Sequence, residues 1–156
     1  DAILVGAQTV RADNPQLTIR PGEAPVEKIQ PWRVVLTRSG DLPQEARLLT
    51  DEFKDRTLVL RDLPLIRDAL HDLAARGVTC VLIEGGGNVV GQALQEQVVD
   101  EVPWFIAPRL CGAGRPSIDA QPPLDQSIPL DQIQIEMLGD NVHISGITIY
   151  PPARQA

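Results

Sequence analysis

The sequence predicts an α/β domain whose mostly parallel sheet ends in an antiparallel C-terminal hairpin. Three observations carry this. Residues 65–98 read helix, strand, helix, the alternation that builds parallel sheets. The strand in that run, Val78–Ile83, is continuously apolar, as strands buried on both faces are. Near the C-terminus two alternating strands flank Gly139-Asp140-Asn141, a hairpin turn. At 156 residues the chain has the size of a single domain, taken as 1–156.

The elements follow in order. Ala2–Val5 is a short buried-type strand stopping at Gly6, and Gln8–Ala12 makes one helical turn before Asp13-Asn14-Pro15, a strong turn signal. Pro21–Pro31 is polar, proline-bearing loop, and Trp32–Thr37 is a β-branched second strand. Ser39–Asp55 has weak helical or irregular content, and Thr57–Leu60 is a third strand. In Leu65–Arg76, Leu65, Ile66, Ala69, Leu70, Leu73 and Ala74 share one helix face, and Gly77 terminates it. Asn88–Val98 is a second helix, with Val89, Val90, Ala93 and Leu94 inward, and Glu101–Ala107 a further strand. Arg109–Pro129 is a Gly- and Pro-rich loop of a length usual in functional or mobile segments. Ile133–Met137 and Val142–Tyr150 form the hairpin, and Pro151–Ala156 is a frayed tail.

Composition removes several classes of function. Aromatics are 3% of residues, so the core is aliphatic. No apolar run approaches the ~20 residues of a membrane span and no leader pattern opens the chain, so a cytoplasmic protein is expected. A net charge of −7 argues against nucleic acid, whose phosphates repel an acidic surface; a small anion remains compatible if arginines and backbone amides make a local positive pocket. Cys80 and Cys111 lack metal-ligand spacing, and Cys80 reads as an inert core thiol. His71 and His143 lie far apart, and no metal is predicted. The chain opens at Asp1 without an initiator Met, and residues are expected to precede it.

The sharpest local signal is Glu84-Gly85-Gly86-Gly87-Asn88, a turn from a buried strand into a helix that Asn88 is expected to cap. The first helical amides lack intrahelical partners, and the helix dipole places about half a positive charge there. Glycines let a phosphate approach the backbone without meeting a Cβ. Gly91, inside the helix, costs about 1 kcal/mol against alanine, which close packing on sheet or ligand would explain. The spacing Gly85-x-Gly87-x-x-x-Gly91 is one residue longer than the Rossmann fingerprint, and no acidic residue ends the next strand, where Arg109 stands nearby. No lysine follows the glycines, which excludes a P-loop. Glu84, at the carboxyl end of its strand, points to the crevice where open α/β sheets bind ligands.

A second strand-end cluster lies at Gly6–Arg20, where Thr9 and Asp13 share a helix face and Arg20 offers a bidentate fork for phosphate. Together the segments resemble the reductase domain of the bifunctional riboflavin-biosynthesis deaminase/reductase family, of dihydrofolate-reductase-like fold. The family's Gly-x-x-Thr-Val-x-x-Asp-Asn/Asp-Pro-x-Leu-Thr-x-Arg is matched from Gly6 through Arg20. Its Glu-Gly/Ala-Gly-x-x-x-x-Gly turn, the following Val-Asp-Glu, and Ala-Pro-x-Leu-x-Gly are matched at Glu84–Gly91, Val99–Glu101 and Ala107–Gly112.

The resemblance implies a three-layer fold and NADPH-dependent reduction of 5-amino-6-(5-phosphoribosylamino)uracil to its ribityl form, with hydride delivered to C1′ of the ribose. It implies cofactor contacts at Thr9 and Asp13 and a pyrophosphate cradle at Gly86, Gly87, Asn88, Val89, Val90, Gly91 and Gln92. Arg38 falls where the family holds a residue near the 2′-phosphate. Leu17, Arg20 and Glu84 become substrate contacts, Arg20 on the phosphate and Glu84 on the pyrimidine or ribose as the candidate catalytic residue. A homodimer is also implied, with 101–107 apolar enough to lie in an interface. The family's first strand and helix would precede Asp1, so a chain starting there is expected to expose a central sheet edge and lack part of its site. Two alternatives stay open: a reductase of another pteridine- or pyrimidine-like compound, and a non-catalytic dinucleotide-binding domain.

Overall fold

Strict alternation along two buried strands sorts the molecule into layers. In the computed structural model, which describes all residues except 21–28, 63–64, 113, 121–123, 125–126 and 151–156, β1 (Ala2–Gly6) sends Ala2 and Leu4 to one face and Ile3 and Val5 to the other. β2 (Trp32–Thr37) repeats the division with Val34 and Val35. One face is covered by α3 (Ile66–Ala74) and α4 (Gly87–Gln95), through Ile66, Ala69, Leu73, Val89 and Ala93. The opposite face is covered by α1 (Ala7–Asp13) and α2 (Arg47–Thr50), through Ala7, Val10 and Leu48. Leu4, Val5, Val34 and Val35 are fully buried, each worth about 1.5–3 kcal/mol by area transfer.

With β3 (Thr57–Arg61) and β4 (Val81–Ile83) the sheet runs β3-β2-β1-β4, all parallel. Leu4 registers with Val34 on one side and Ile83 on the other. The carboxyl ends at Gly6, Thr37, Arg61 and Ile83 therefore open on one edge. Helix α3 closes in a Schellman turn: Gly77, at φ +81°, and Val78 return their amides to the carbonyls of Ala74 and Leu73.

The structure departs from the sequence reading in four places. First, the C-terminal hairpin, β6 (Leu130–Leu138) and β7 (Asn141–Thr148), does not edge the parallel sheet. It joins β5 (Glu101–Ile106) in a separate antiparallel sheet, order β5-β7-β6, because β5 finds its whole length in register on β7. Second, only Val81–Ile83 of the expected 78–83 strand is paired; it ends the sheet order, so Leu82 is 43% exposed rather than buried. Third, Cys80, just outside that strand, is exposed, as is Cys111; neither is core. Fourth, α4 begins at Gly87 behind Gly86 as its N-cap, so Asn88 is not the cap. It ends at Gln95 rather than Val98, because Gln97 adopts φ +55° and turns the chain back on Leu94.

Elsewhere the differences are small: the turn at Gln8–Ala12 is helix Ala7–Asp13, and 39–55 contains α2 and a 3₁₀ turn at Lys54–Arg56. Most of the Pro21–Pro31 loop, parts of Arg109–Pro129 and all of the tail lie outside the described residues. Among the described residues no helix is long and apolar enough to cross a membrane, and no group of three or more His, Cys, Asp or Glu could hold a metal ion.

Candidate active site

Parallel strands that end together leave their following loops around one crevice, and here it measures about 1000 Å³. One wall runs from Gly6 into α1 and includes Thr9 and Asp13. The end of β2 and the residues after it contribute Thr37, Arg38 and Ser39. The opposite wall is the glycine turn with the start of α4: Glu84, Gly86, Gly87, Asn88, Val89 and, one turn on, Gln92. Thr9, Asp13, Arg38, Glu84, Gly86, Gly87, Asn88, Val89 and Gln92 are the nine among them predicted from sequence. Leu17, Arg20, Val90 and Gly91 are not among the lining residues.

The glycines of the turn differ in what requires them. A Cβ on Gly85 would lie 2.8 Å from the Val89 side chain, and one on Gly87 2.4 Å from the Pro116 carbonyl oxygen. On Gly91 it would meet the Asp119 carbonyl at 2.5 Å, so this glycine is explained by the 119–120 backbone crossing the helix. Gly86 is different. Its φ of −51° suits any residue, and a Cβ there meets nothing within 4 Å. Chain packing therefore does not demand glycine at 86, the residue that stands at the mouth of the helix.

Helix geometry makes that mouth electropositive. The first bonds to the Gly86 carbonyl come from Val89 and Val90, which leaves the amides of Gly87 and Asn88 with no intrahelical acceptor. Glu84 donates its amide to the Leu4 carbonyl at 3.0 Å, extending the β1–β4 ladder and carrying its exposed carboxylate to the crevice edge. Leu36, Leu60, Leu65 and Ile66 supply an apolar flank suited to a flat ring.

Sequence reasoning missed Arg115 and Asp119 as lining residues. The Asp119 amide donates to the Gly87 carbonyl at 2.8 Å, so the 115–119 segment is stitched to the start of α4 and brings the exposed Arg115 beside the crevice. The only available signal was Arg115 standing in a long Gly/Pro-rich loop.

Next to the crevice the segment Asn14–Arg20 takes an irregular path. Leu17 sits at φ +53°, a left-handed conformation that costs a non-glycine residue about 1–2 kcal/mol. Beneath it lies Arg33, 1% exposed, whose Nη1 and Nη2 grip Asp51 at 2.6 and 2.8 Å. That hydrogen-bonded guanidinium, with its charge, holds the Asp51 carboxyl below its ordinary range against the opposing effect of burial.

The family model described as the RibD C-terminal domain matches residues 1–144. The chain is 39% identical over 119 residues to the riboflavin biosynthesis protein RibD of Mycobacterium tuberculosis, covering 76% of this chain and 33% of that protein. It is 30% identical to the 2,5-diamino-6-ribosylamino-4(3H)-pyrimidinone 5′-phosphate reductase of Archaeoglobus fulgidus, covering 75% of this chain and 65% of that one. Among solved structures it resembles Acinetobacter baumannii RibD at TM-score 0.81 and 28% identity, over 95% of this chain and 47% of that chain. The fold is thus dihydrofolate-reductase-like. The chain spans a third or less of the length of the first curated relatives it matches.

Proposed function

The chain belongs to the RibD C-terminal domain family, and from that premise we propose that it is an NADPH-dependent reductase of 5-amino-6-(5-phosphoribosylamino)uracil, acting in riboflavin biosynthesis. The observation that carries the reading is Gly86, the one glycine of the turn whose side-chain position opens into the crevice instead of onto protein. A phosphate seated on the amides of Gly87 and Asn88 would use that space, so the residues fit a dinucleotide.

When bound, the dinucleotide supplies the hydride for C1′ of the opened ribose. The protein's part is placement. Gly86–Asn88 would hold the pyrophosphate, with Val89 and Gln92 along the helix, and Val90 and Gly91 maintaining its packing. Thr9 and Asp13 would hold the cofactor from α1. Arg38, exposed past β2, would meet the 2′-phosphate and favour NADPH over NADH. Arg20 would take the substrate phosphate, Leu17 would pack beside it, and Glu84 would orient the pyrimidine or ribose hydroxyls at the reacting end.

We extend the reading to a homodimer in the cytoplasm. Trp104, Ile106, Ile135 and Met137 share one face of the β5-β7-β6 sheet and are 43%, 45%, 68% and 64% exposed, an apolar face suited to a second copy.

The test is NADPH oxidation by the full-length protein, with and without the phosphoribosylaminouracil. Substrate-dependent oxidation is expected. Bound NADPH with no turnover would sink the reading and favour a reductase of another compound or a binding domain.

A further inference from the structure

Resting on the assignment of Leu17 and Arg20 to the substrate, we infer that Arg33 is a positioning residue: its buried guanidinium, locked on Asp51, sets the backbone of the segment that meets the substrate. A strand or helix takes its shape from its own ladder of hydrogen bonds. Among the described residues, 15–19 make no backbone–backbone hydrogen bond, and side-chain hydrogen bonds hold the path instead. They do so at three points. Asn14 Oδ1 accepts the Arg47 amide at 2.9 Å. Arg33 Nη1 donates to the Gln16 carbonyl at 3.1 Å. Gln30 grips Ile19 twice, accepting its amide at 2.8 Å and donating to its carbonyl at 3.2 Å.

Arg33 is the buried centre of this arrangement. Its fork is divided between Asp51, the Leu48 carbonyl at 2.9 Å and Gln16, so one guanidinium joins β2, the end of α2 and the segment. Leu17, the next residue after the gripped carbonyl, lies in the left-handed region, where a bulky side-chain-bearing residue persists only if its surroundings over-determine it. Stability alone does not account for the pair, because apolar residues of similar volume commonly replace buried ion pairs without loss. What an apolar pair cannot supply is a donor for the Gln16 carbonyl.

Removing one partner would strand a buried charge, so the test removes both, as Arg33→Met with Asp51→Leu in the full-length protein. A second variant, Arg33→Lys, keeps the charge pair but loses the fork. Steady-state KM for the phosphoribosylaminouracil and for NADPH are measured with amide exchange at residues 16–19. In the folded double variant we expect substrate KM to rise about tenfold, with NADPH KM and kcat within about twofold of native. Exchange at Ile19, whose amide is held by Gln30, should quicken. Arg33→Lys should move both readouts the same way by a smaller factor, and it decides the matter if the double variant does not fold. Unchanged substrate KM in a folded variant, or equal rises for substrate and cofactor, overturns the inference. If native protein binds NADPH but does not reduce the aminouracil, the parent reading has failed instead, and exchange at 16–19 still decides whether Arg33 holds the segment.

Discussion

Two neighbouring regions, which the proposed function assigns to cofactor and substrate, are held in place in different ways. At the glycine turn, Glu84–Gln92, position comes from regular backbone: a ladder bond to β1, a helix, and three glycines squeezed by Val89, Pro116 and Asp119. At Asn14–Arg20 position comes from side chains, the segment's own Asn14, which takes the Arg47 amide, and the borrowed Arg33 and Gln30. The first arrangement rests on the regular backbone of a strand end and a helix, as would suit a cofactor shared by many enzymes. The second can be retuned by single substitutions, as suits a substrate that differs between relatives. The difference teaches where to cut: backbone geometry at the turn, side-chain anchors at the segment.

The largest effect should come from Gly86→Val. Its Cβ meets no protein atom, and φ −51° accommodates valine, so folding stability should fall by no more than about 1 kcal/mol. The branched side chain would stand where the phosphate needs the Gly87 and Asn88 amides. Each charge-assisted bond is worth about 1.5–3 kcal/mol, so NADPH Kd should rise about a hundredfold or more, read by fluorescence titration beside a thermal melt. Unchanged affinity would mean that the Gly87 and Asn88 amides do not hold the cofactor's phosphate.

Arg20→Ala should do the converse at the other region. Loss of a phosphate fork costs about 1.5–3 kcal/mol, so KM for the phosphorylated substrate should rise about tenfold to a hundredfold while NADPH affinity stays near native. Initial-rate kinetics in both substrates check it. A matching rise in NADPH KM would mean that Arg20 serves the cofactor and that the two regions are not separate.

What was legible in the sequence follows the same line. Periodicity located β1, β2, α3 and the hairpin to within a few residues, because local alternation and Gly77 carry those signals. It could not place the hairpin in a separate sheet, since pairing of β5 with β7 depends on residues far apart in the chain. Val78–Ile83 looked doubly buried because apolarity records side-chain chemistry and not the strand's place in the sheet order. At the site, the glycine turn and Thr9–Asp13 were readable as motifs with regular spacing. Arg33 was not: an arginine inside an apolar strand shows its role only once Asp51, Leu48 and Gln16 converge on it. Arg115 depends likewise on a loop folding back on Gly87.

The smallest effect expected is a change in the shape of the acid limb of stability, and it probes the anchor of the second region directly. Arg33's hydrogen bond, aided by its charge, depresses the Asp51 carboxyl in the folded chain. A carboxyl whose folded pKa lies below its unfolded one contributes stability that is fully present above the unfolded value and is lost as pH falls through the folded one. Asp51 therefore adds no slope near neutrality, and its contribution fades only below the ordinary carboxylate range. Thermal melts of native protein and of the Arg33→Met/Asp51→Leu variant should differ by a constant amount from neutrality down to about pH 5, then shift in the variant's favour in stronger acid, because the variant has no carboxyl at 51 to protonate. Parallel acid limbs would mean that Asp51 keeps its ordinary affinity for protons in the folded chain, and that Arg33 holds it more loosely than 2.6 and 2.8 Å contacts require.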